Sequence, residues 1–337
     1  MNNDERAQAY SRLYALFAQL YRHGLTTELL PVLPTLPELA ERLPAPFDEN
    51  RAAAAHQNLF GFNIFPYESI LLDATGMLGG VHSEAVAQHY QQVGYQSPGE
   101  NEAPDHVSTE LDLLAFLCGA ESDAWEDGKA FSAQRMRQEQ RRFLETHLLR
   151  WLPTCLIAIQ LHDEPFFQVL ADLTLQVVDD HYSTLIDSML IDSTLIASQP
   201  ATLEFALPTP PALASQAQTS LKDIADYLTT PPHSGIILTR HSITQVGRRR
   251  QLPRGFGSRA QMLTNLLRTA AQYEAIQPLF TALNDLTAVW VARYQALIAA
   301  MPALAPFVIP WRQQAQQTQA LLTQLQQDAL TYVDTTS

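Results

Sequence analysis

"NEAPDHVSTELDLLAFL", residues 101–117, sets Pro104, Asp105 and His106 in front of an apolar run with Leu111, Leu114, Ala115 and Cys118 at i, i+3, i+4 and i+7. That spacing lays one apolar stripe along an α-helix. Pro104 discourages helix upstream of it, and Asp105 is of the residue type that caps a helix start, so the run predicts a helix near 106–119. The same trio can be read as an acid/base pair or as part of a surface that grips another chain.

The helical pattern recurs along the chain. In SRLYALFAQLYRHG, Leu13, Leu16, Phe17 and Leu20 share a face. Leu144, Leu148 and Trp151 do so in a helix near 131–151, and Ile276, Leu279, Phe280, Leu283, Leu286 and Trp290 in another. Further helices are expected near 82–93 and 165–190, while Pro31, Pro34, Pro37, Pro44 and Pro46 interrupt any long one between them. With 46% apolar and 17% charged residues the chain is globular, and only 13 Gly among abundant Leu, Ala and Gln predicts an all-α fold. Phe143, Leu148 and Trp151 read as core.

A length of 337 residues suits two domains, or one helical unit with an extension. SQPATLEFALPTPPALASQ, 198–216, is the best linker, which divides the chain into 1–197, the Pro-rich linker 198–216, and an Arg-rich helical segment 217–337 that ends in a Gln-rich tail. Cys118 and Cys155 lie in apolar runs and read as buried free thiols. The opening MNNDERAQAY is no secretory signal, and the apolar run 152–161 is too short to span a bilayer, so the expectation is a cytoplasmic protein without stable membrane insertion.

Charge is segregated. The formal net charge is -14, which argues against general binding to nucleic acid or anionic membrane. No Lys or Arg occurs between Ala52 and Gly128, and Glu100–Asp127 is rich in acids; Thr229–Tyr273 has no acid until Glu274 and carries Arg240, Arg248, Arg249, Arg250, Arg254, Arg259 and Arg268. Both stretches are consistent with solvated faces. The turn RRRQLPRGFGSRAQML feeds a helix from Ser258 onward, which makes Arg254 and Arg259 candidate anion contacts. An adaptor that binds nucleic acid or another anion through this segment is the competing class.

Catalytic readings find little support. There is no Gly-x-Ser-x-Gly elbow, and neighbours in sequence do not place the Asp105 carboxylate on the His106 imidazole. No metal is expected: His82 and His89 are seven apart, neither cysteine has a CxxC partner, and His147 reads as a buried, hydrogen-bonded core histidine. Gly76, Gly79 and Gly80 lack a nearby Lys and read as a turn.

Three stretches, PYESILLDATGMLGG, ENEAPDHVSTELDLLAFL and FLETHLLRWLPTCLIAI, follow one another in order. Together they resemble the TorD/DmsD/NarJ family of cytoplasmic chaperones for molybdenum oxidoreductases, over about residues 5–190. The resemblance implies a helical TorD-like fold plus a C-terminal helical extension that the family pattern does not explain. It implies a protein without catalytic activity or permanent cofactor that works as a monomer or homodimer. Its partner would be the catalytic subunit of a molybdenum oxidoreductase. The chaperone would bind that subunit's twin-arginine signal peptide and apo form, assist cofactor insertion and hold back export, with transient contact to the molybdopterin cofactor. The implied peptide-binding element is the loop Pro104, Asp105 and His106 with Glu102 before it. On physical grounds a receptor for two guanidinium groups and an apolar stretch needs carboxylates beside an apolar groove, for which Phe62, Phe65, Tyr67 and Glu68 are candidates.

Overall fold

The computed structural model describes residues 2–97, 103–192, 205–213, 219–252 and 256–336, which are helical and contain no strand beyond one isolated bridge. The chain divides into two compact units. The first is Met1–Gly61 with Phe65–Ile70 and Met77–Glu204; the second is Phe62–Ile64 with Leu71–Gly76 and Phe205–Ser337.

In the first unit α1 (Asn3–His23) lies along α6 (Val107–Glu126), and α7 (Ala130–Phe143), α8 (Leu149–Gln160) and α9 (Pro165–Asp192) pack around them. The proline-rich stretch yields only one 3-10 turn and the short α2 (Pro37–Ala40), followed by α3 (Glu49–His56). α4 (Glu68–Leu72) and α5 (Gly80–Val93) precede α6. The helix expected at 131–151 runs further: α7 continues through a π turn at Leu144–Leu148 into α8, and Pro153 is accommodated inside α8. Phe143, Leu148 and Trp151 are fully buried, and Cys118 and Cys155 are buried free thiols.

The apolar face of α1 is rotated from the leucine stripe. Tyr10, Tyr14, Phe17 and Tyr21 are buried, whereas Leu13 and Leu16 are half-buried. The reason is polar. Tyr21 Oη lies 3.0 Å from Thr174 Oγ1, Tyr10 Oη donates to Asp180 Oδ2 at 2.6 Å, and Tyr14 Oη lies 2.9 Å from His181 Nδ1. Each hydroxyl finds a partner on α9, so the rings can be buried without an orphaned group.

His181 sits in a directed chain. Gln140 Nε2 donates to Glu121 Oε2 at 2.9 Å, so Gln140 Oε1, 3.1 Å from His181 Nε2, receives the ring proton. Nδ1 is then the acceptor for Tyr14. Glu121, which also takes Trp125 Nε1 and Arg137 Nη1, closes the chain with its charge. Glu121 was expected among solvated acids; it is buried, because this network compensates it.

The second unit contains α10 (Leu221–Thr229), α11 (Pro231–Ser234), α12 (Arg240–Arg249), α13 (Arg259–Gln272), α14 (Ile276–Ala300) and α15 (Ala305–Thr336). Its core joins Ile224, Leu228, Leu263, Leu267, Leu279, Phe280, Leu283 and Leu322. The Gln-rich tail is thus a helix. Gln314 is buried and donates to Pro208 O and Pro232 O, and Thr318 donates to Ser234 O. Gly235, at φ 71°, lies against α15 so closely that a Cβ would fall 2.2 Å from Ala315 N. Among the described residues no single helix is long and apolar enough to cross a membrane; α14 and α15 pass together by length and composition, but across a 117° bend.

Burial above all, with Arg137 as a minor cause, lowers His181 to about 3. A folded value below the ordinary one of about 6.5 means that its stabilisation is full above about pH 6.5 and is lost as pH falls towards 3. His181→Gln should therefore be destabilised by about 1–3 kcal/mol at neutral pH, through an unsatisfied Tyr14 or Gln140. The gap to wild type should narrow at pH 5, because only wild type must resist protonation. Urea melts at the two pH values check this, and a gap that does not change with pH would contradict it.

Candidate functional site

Parts of the three motif stretches, residues 66–70, 103–117 and 143–159, meet in the first unit. A short antiparallel bridge pairs Tyr67 with His106: Val107 N–H donates to Pro66 O and Glu68 N–H to Asp105 O, both at 2.9 Å. This pairing sets residues 66–69 beside 104–107 and carries the Asp105 carboxylate over the start of α4, where Oδ2 accepts from Ser69 N–H at 2.9 Å. Asp105 is therefore not the N-cap of α6. That position belongs to His106, whose Nδ1 accepts from Ser108 N–H and lies 2.6 Å from Ser108 Oγ. Asp105 instead caps α4 across the bridge, satisfying one of the N–H groups that a helix start leaves open.

Glu68, 2% exposed, forms the other half of the site. His147 Nδ1 lies 3.1 Å from Glu68 Oε2 and 3.3 Å from Oε1, and His82 Nδ1 lies 3.7 Å from Oε1. The π turn that carries His147 leads directly into Trp151, whose Nε1 donates to Glu110 Oε2 at 3.4 Å. Glu110 is fully buried on the apolar face of α6. Burial above all, with the nearby Glu68 and Asp105 carboxylates, raises its pKa well above the ordinary range. Tyr90 Oη completes the surround, donating to Pro104 O at 2.6 Å.

Of the residues selected from sequence, the structure brings Tyr67, Glu68, Pro104, Asp105 and His106 together. Asp105, His106 and Glu68 are buried, Pro104, Phe65 and Tyr67 half-buried, and the Tyr67 ring lies 4.7 Å from that of His106. Phe62 is half-exposed but groups with the second unit. Glu102 and Arg254 lie outside the described residues. Arg259, in the second unit, is half-buried, and its burial beside Arg240 lowers its pKa to about 10. At that helix start Ser258 Oγ already accepts from Gln261 N–H, and Gln261 Oε1 from Ser258 N–H, which takes up donors that an anion would use.

Sequence reasoning did not place Ser69, Tyr90 or Glu110 in the site, nor did it pair His147 with Glu68. One signal for Glu110 was present: it falls three residues after Val107 and four before Leu114, so a carboxylate stands in the middle of the apolar stripe. The partners lie 79 residues apart for His147 with Glu68 and 41 for Trp151 with Glu110, beyond the reach of local spacing.

Chemically this arrangement is a clamp. Among the described residues no group of His, Cys, Asp and Glu is placed to hold a metal ion. Burial raises the Cys118 and Cys155 thiols, so neither presents a thiolate. The carboxylates face backbone N–H, imidazole and indole groups that belong to the fold itself.

Known proteins share this segment. The family described as nitrate reductase delta subunit matches residues 27–156, which include every clamp residue from Glu68 to Trp151, and is the TorD/NarJ type of chaperone that the motifs resemble. The selenate reductase assembly chaperone protein of Thauera selenatis is 37% identical over 89 residues, covering 26% of this chain and 45% of that protein. The chlorate reductase assembly chaperone protein of Ideonella dechloratans is 46% identical over 54 residues, covering 16% and 27%. The chain thus spans less than half the length of each of these relatives.

Two substitutions separate the parts of the clamp. Trp151→Ala should lose about 3–5 kcal/mol through the cavity it leaves. Glu110→Gln should be tolerated, because a buried carboxyl with a raised pKa is replaced by a neutral side chain of the same shape. A raised folded pKa gives stability that is lost as pH rises from the ordinary carboxylate range towards the folded value, so the variant should gain on wild type across that window. Thermal melts from pH 4 to 8 test both; a Glu110→Gln variant that loses stability relative to wild type as pH rises would contradict a raised pKa at Glu110.

Proposed function

We propose that this protein is a non-enzymatic assembly chaperone for a molybdenum-containing oxidoreductase. It binds the twin-arginine signal peptide and the apo form of the catalytic subunit, assists cofactor insertion and holds back export. It acts in the cytoplasm. Residues 1–197 are the chaperone domain and 217–337 an added helical domain, joined by 198–216.

One observation carries the reading. The Glu68–Asp105–Glu110–His147–Trp151 clamp lies within the segment matched by the chaperone family, and the Thauera selenatis and Ideonella dechloratans relatives are named as assembly chaperones of reductases. A chaperone of this type needs a rigid surface that recognises a peptide, and needs no activated nucleophile or resident metal. The buried clamp supplies rigidity: it ties segments 66–69, 104–110 and 147–151 so that Pro104, Phe65 and Tyr67 are held at the rim. Asp105 and His106 then contribute to recognition by fixing the loop, and the stretch free of Lys and Arg from Ala52 to Gly128 favours a partner that brings its own cations.

The test has two arms. The tagged full chain should co-purify with the catalytic subunit of a molybdenum oxidoreductase, and a synthetic peptide of that subunit's signal should bind in calorimetry. Asp105→Asn and His106→Ala should weaken the binding by loosening the loop that carries Pro104 and Tyr67. A catalytic subunit that acquires its full cofactor content in cells lacking this chaperone would overturn the proposal.

A further inference from the structure

We infer that Met77, Leu78 and Val81 form the docking surface for an apolar peptide stretch with basic flanks, and that Ser69 is the positioning residue that couples this surface to the buried Asp105. The inference deepens the chaperone reading and rests on it.

The three side chains are 70%, 55% and 70% exposed and stand within five residues of one another, at the entry to α5. Single exposed apolar residues are ordinary, but three large ones on one tip are what an interaction surface presents. The tip is built rather than loose. Gly79 and Gly80 have φ of 93° and 73°, and a Cβ at either would meet nothing within 4 Å, so glycine is there for the backbone turn and not for space. Gly79 N–H donates to Ser69 Oγ at 3.0 Å, and Ser69 N–H donates to Asp105 Oδ2 at 2.9 Å. His82, one residue past Val81, reaches Glu68. The apolar tip therefore hangs from the same segment, 68–69, that Asp105 and His147 hold in place.

This connection explains how a carboxylate with no exposed surface influences binding at the surface. Asp105 fixes Ser69, and Ser69 fixes the turn that carries Met77, Leu78 and Val81. The nature of the occupant follows from charge. The tip lies in the stretch from Ala52 to Gly128 that has no Lys or Arg, and Glu84 is exposed in the second turn of α5, which offers a carboxylate to a cation at the end of an apolar segment. An anionic membrane surface is disfavoured by the same charge.

The experiment uses the full chain and fluorescent synthetic peptides: Arg-Arg followed by a run of Leu and Ala, the same with Ser and Gly in place of the apolar run, and the first with Gln-Gln for Arg-Arg. Wild type should prefer the apolar peptide over the Ser/Gly one by at least about tenfold, as burial of one or two side chains implies. The double variant Met77→Ser, Val81→Ser should lose that preference and keep both its preference for Arg-Arg and its melting temperature, since both positions are exposed. Ser69→Ala should weaken binding of the apolar peptide and speed amide exchange at residues 77–82, while exchange in α6 stays unchanged. If the double variant binds as wild type does, the docking surface lies elsewhere and the inference falls, with the chaperone reading intact. If wild type binds none of the peptides, the signal-binding reading fails and takes this inference with it. A wild-type dimer that the double variant abolishes in sedimentation would assign the tip to self-association and overturn the inference.

Discussion

Ionisable groups inside a fold are tolerated only when partners replace the water they give up, and the arrangement of the first unit follows from that constraint at Glu68. A carboxylate 2% exposed needs His147, and His147 reaches it only if the π turn at Leu144–Leu148 lies against the start of α4. Asp105 fixes the same helix start from the other side through Ser69. Removing one partner would strand a buried charge, whereas an apolar replacement of the whole set is often tolerated for stability alone. The contribution of the clamp is therefore to set which segments are neighbours. At Glu110 burial and the neighbouring carboxylates raise the pKa, and Oε2 accepts from Trp151 Nε1.

The helical character, the core of Phe143, Leu148 and Trp151, and the free thiols were legible because each rests on local spacing or composition, whereas the ends of α6 and α8 lie beyond the expected 119 and 151. The rotation of α1 was not, since hydropathy ranks leucine above tyrosine, and only the hydroxyl partners on α9 make the tyrosine face the better one to bury. The acid-rich window from Glu100 to Asp127 read as a solvated face for a similar reason. Asp105, Glu110 and Glu121 are buried there, and each meets a donor distant in sequence. The candidate site was legible as a set of motifs but not as a geometry. The motif stretches mark the clamp, yet the assignment of Asp105 to cap α6 failed because a bridge to Tyr67 turns its side chain towards α4.

The second unit shows how glutamine and threonine substitute for apolar packing near a helix end. Gln314 and Thr318 sit on the inner face of α15 and satisfy carbonyls of Pro208, Pro232 and Ser234, groups left open by prolines and a short helix. A Gln-rich composition therefore says little about order here. The positions of the amides against specific carbonyls decide it.

Gly235 bears on the order in which the polypeptide is made. Its backbone packs on Ala315, eighty residues later, and its carbonyl accepts from Tyr294 Oη at 2.8 Å. Translation must deliver α15 before that turn can close, whereas the last contacts of the first unit, from α1 to α9, are available once α9 has emerged. Since domains fold as units and the N-terminal one folds first during synthesis, the helices of the first unit can pack while the ribosome is still reading the remainder. The clamp segments, all before α9, can thus be fixed in place before the contacts of Gly235 have formed.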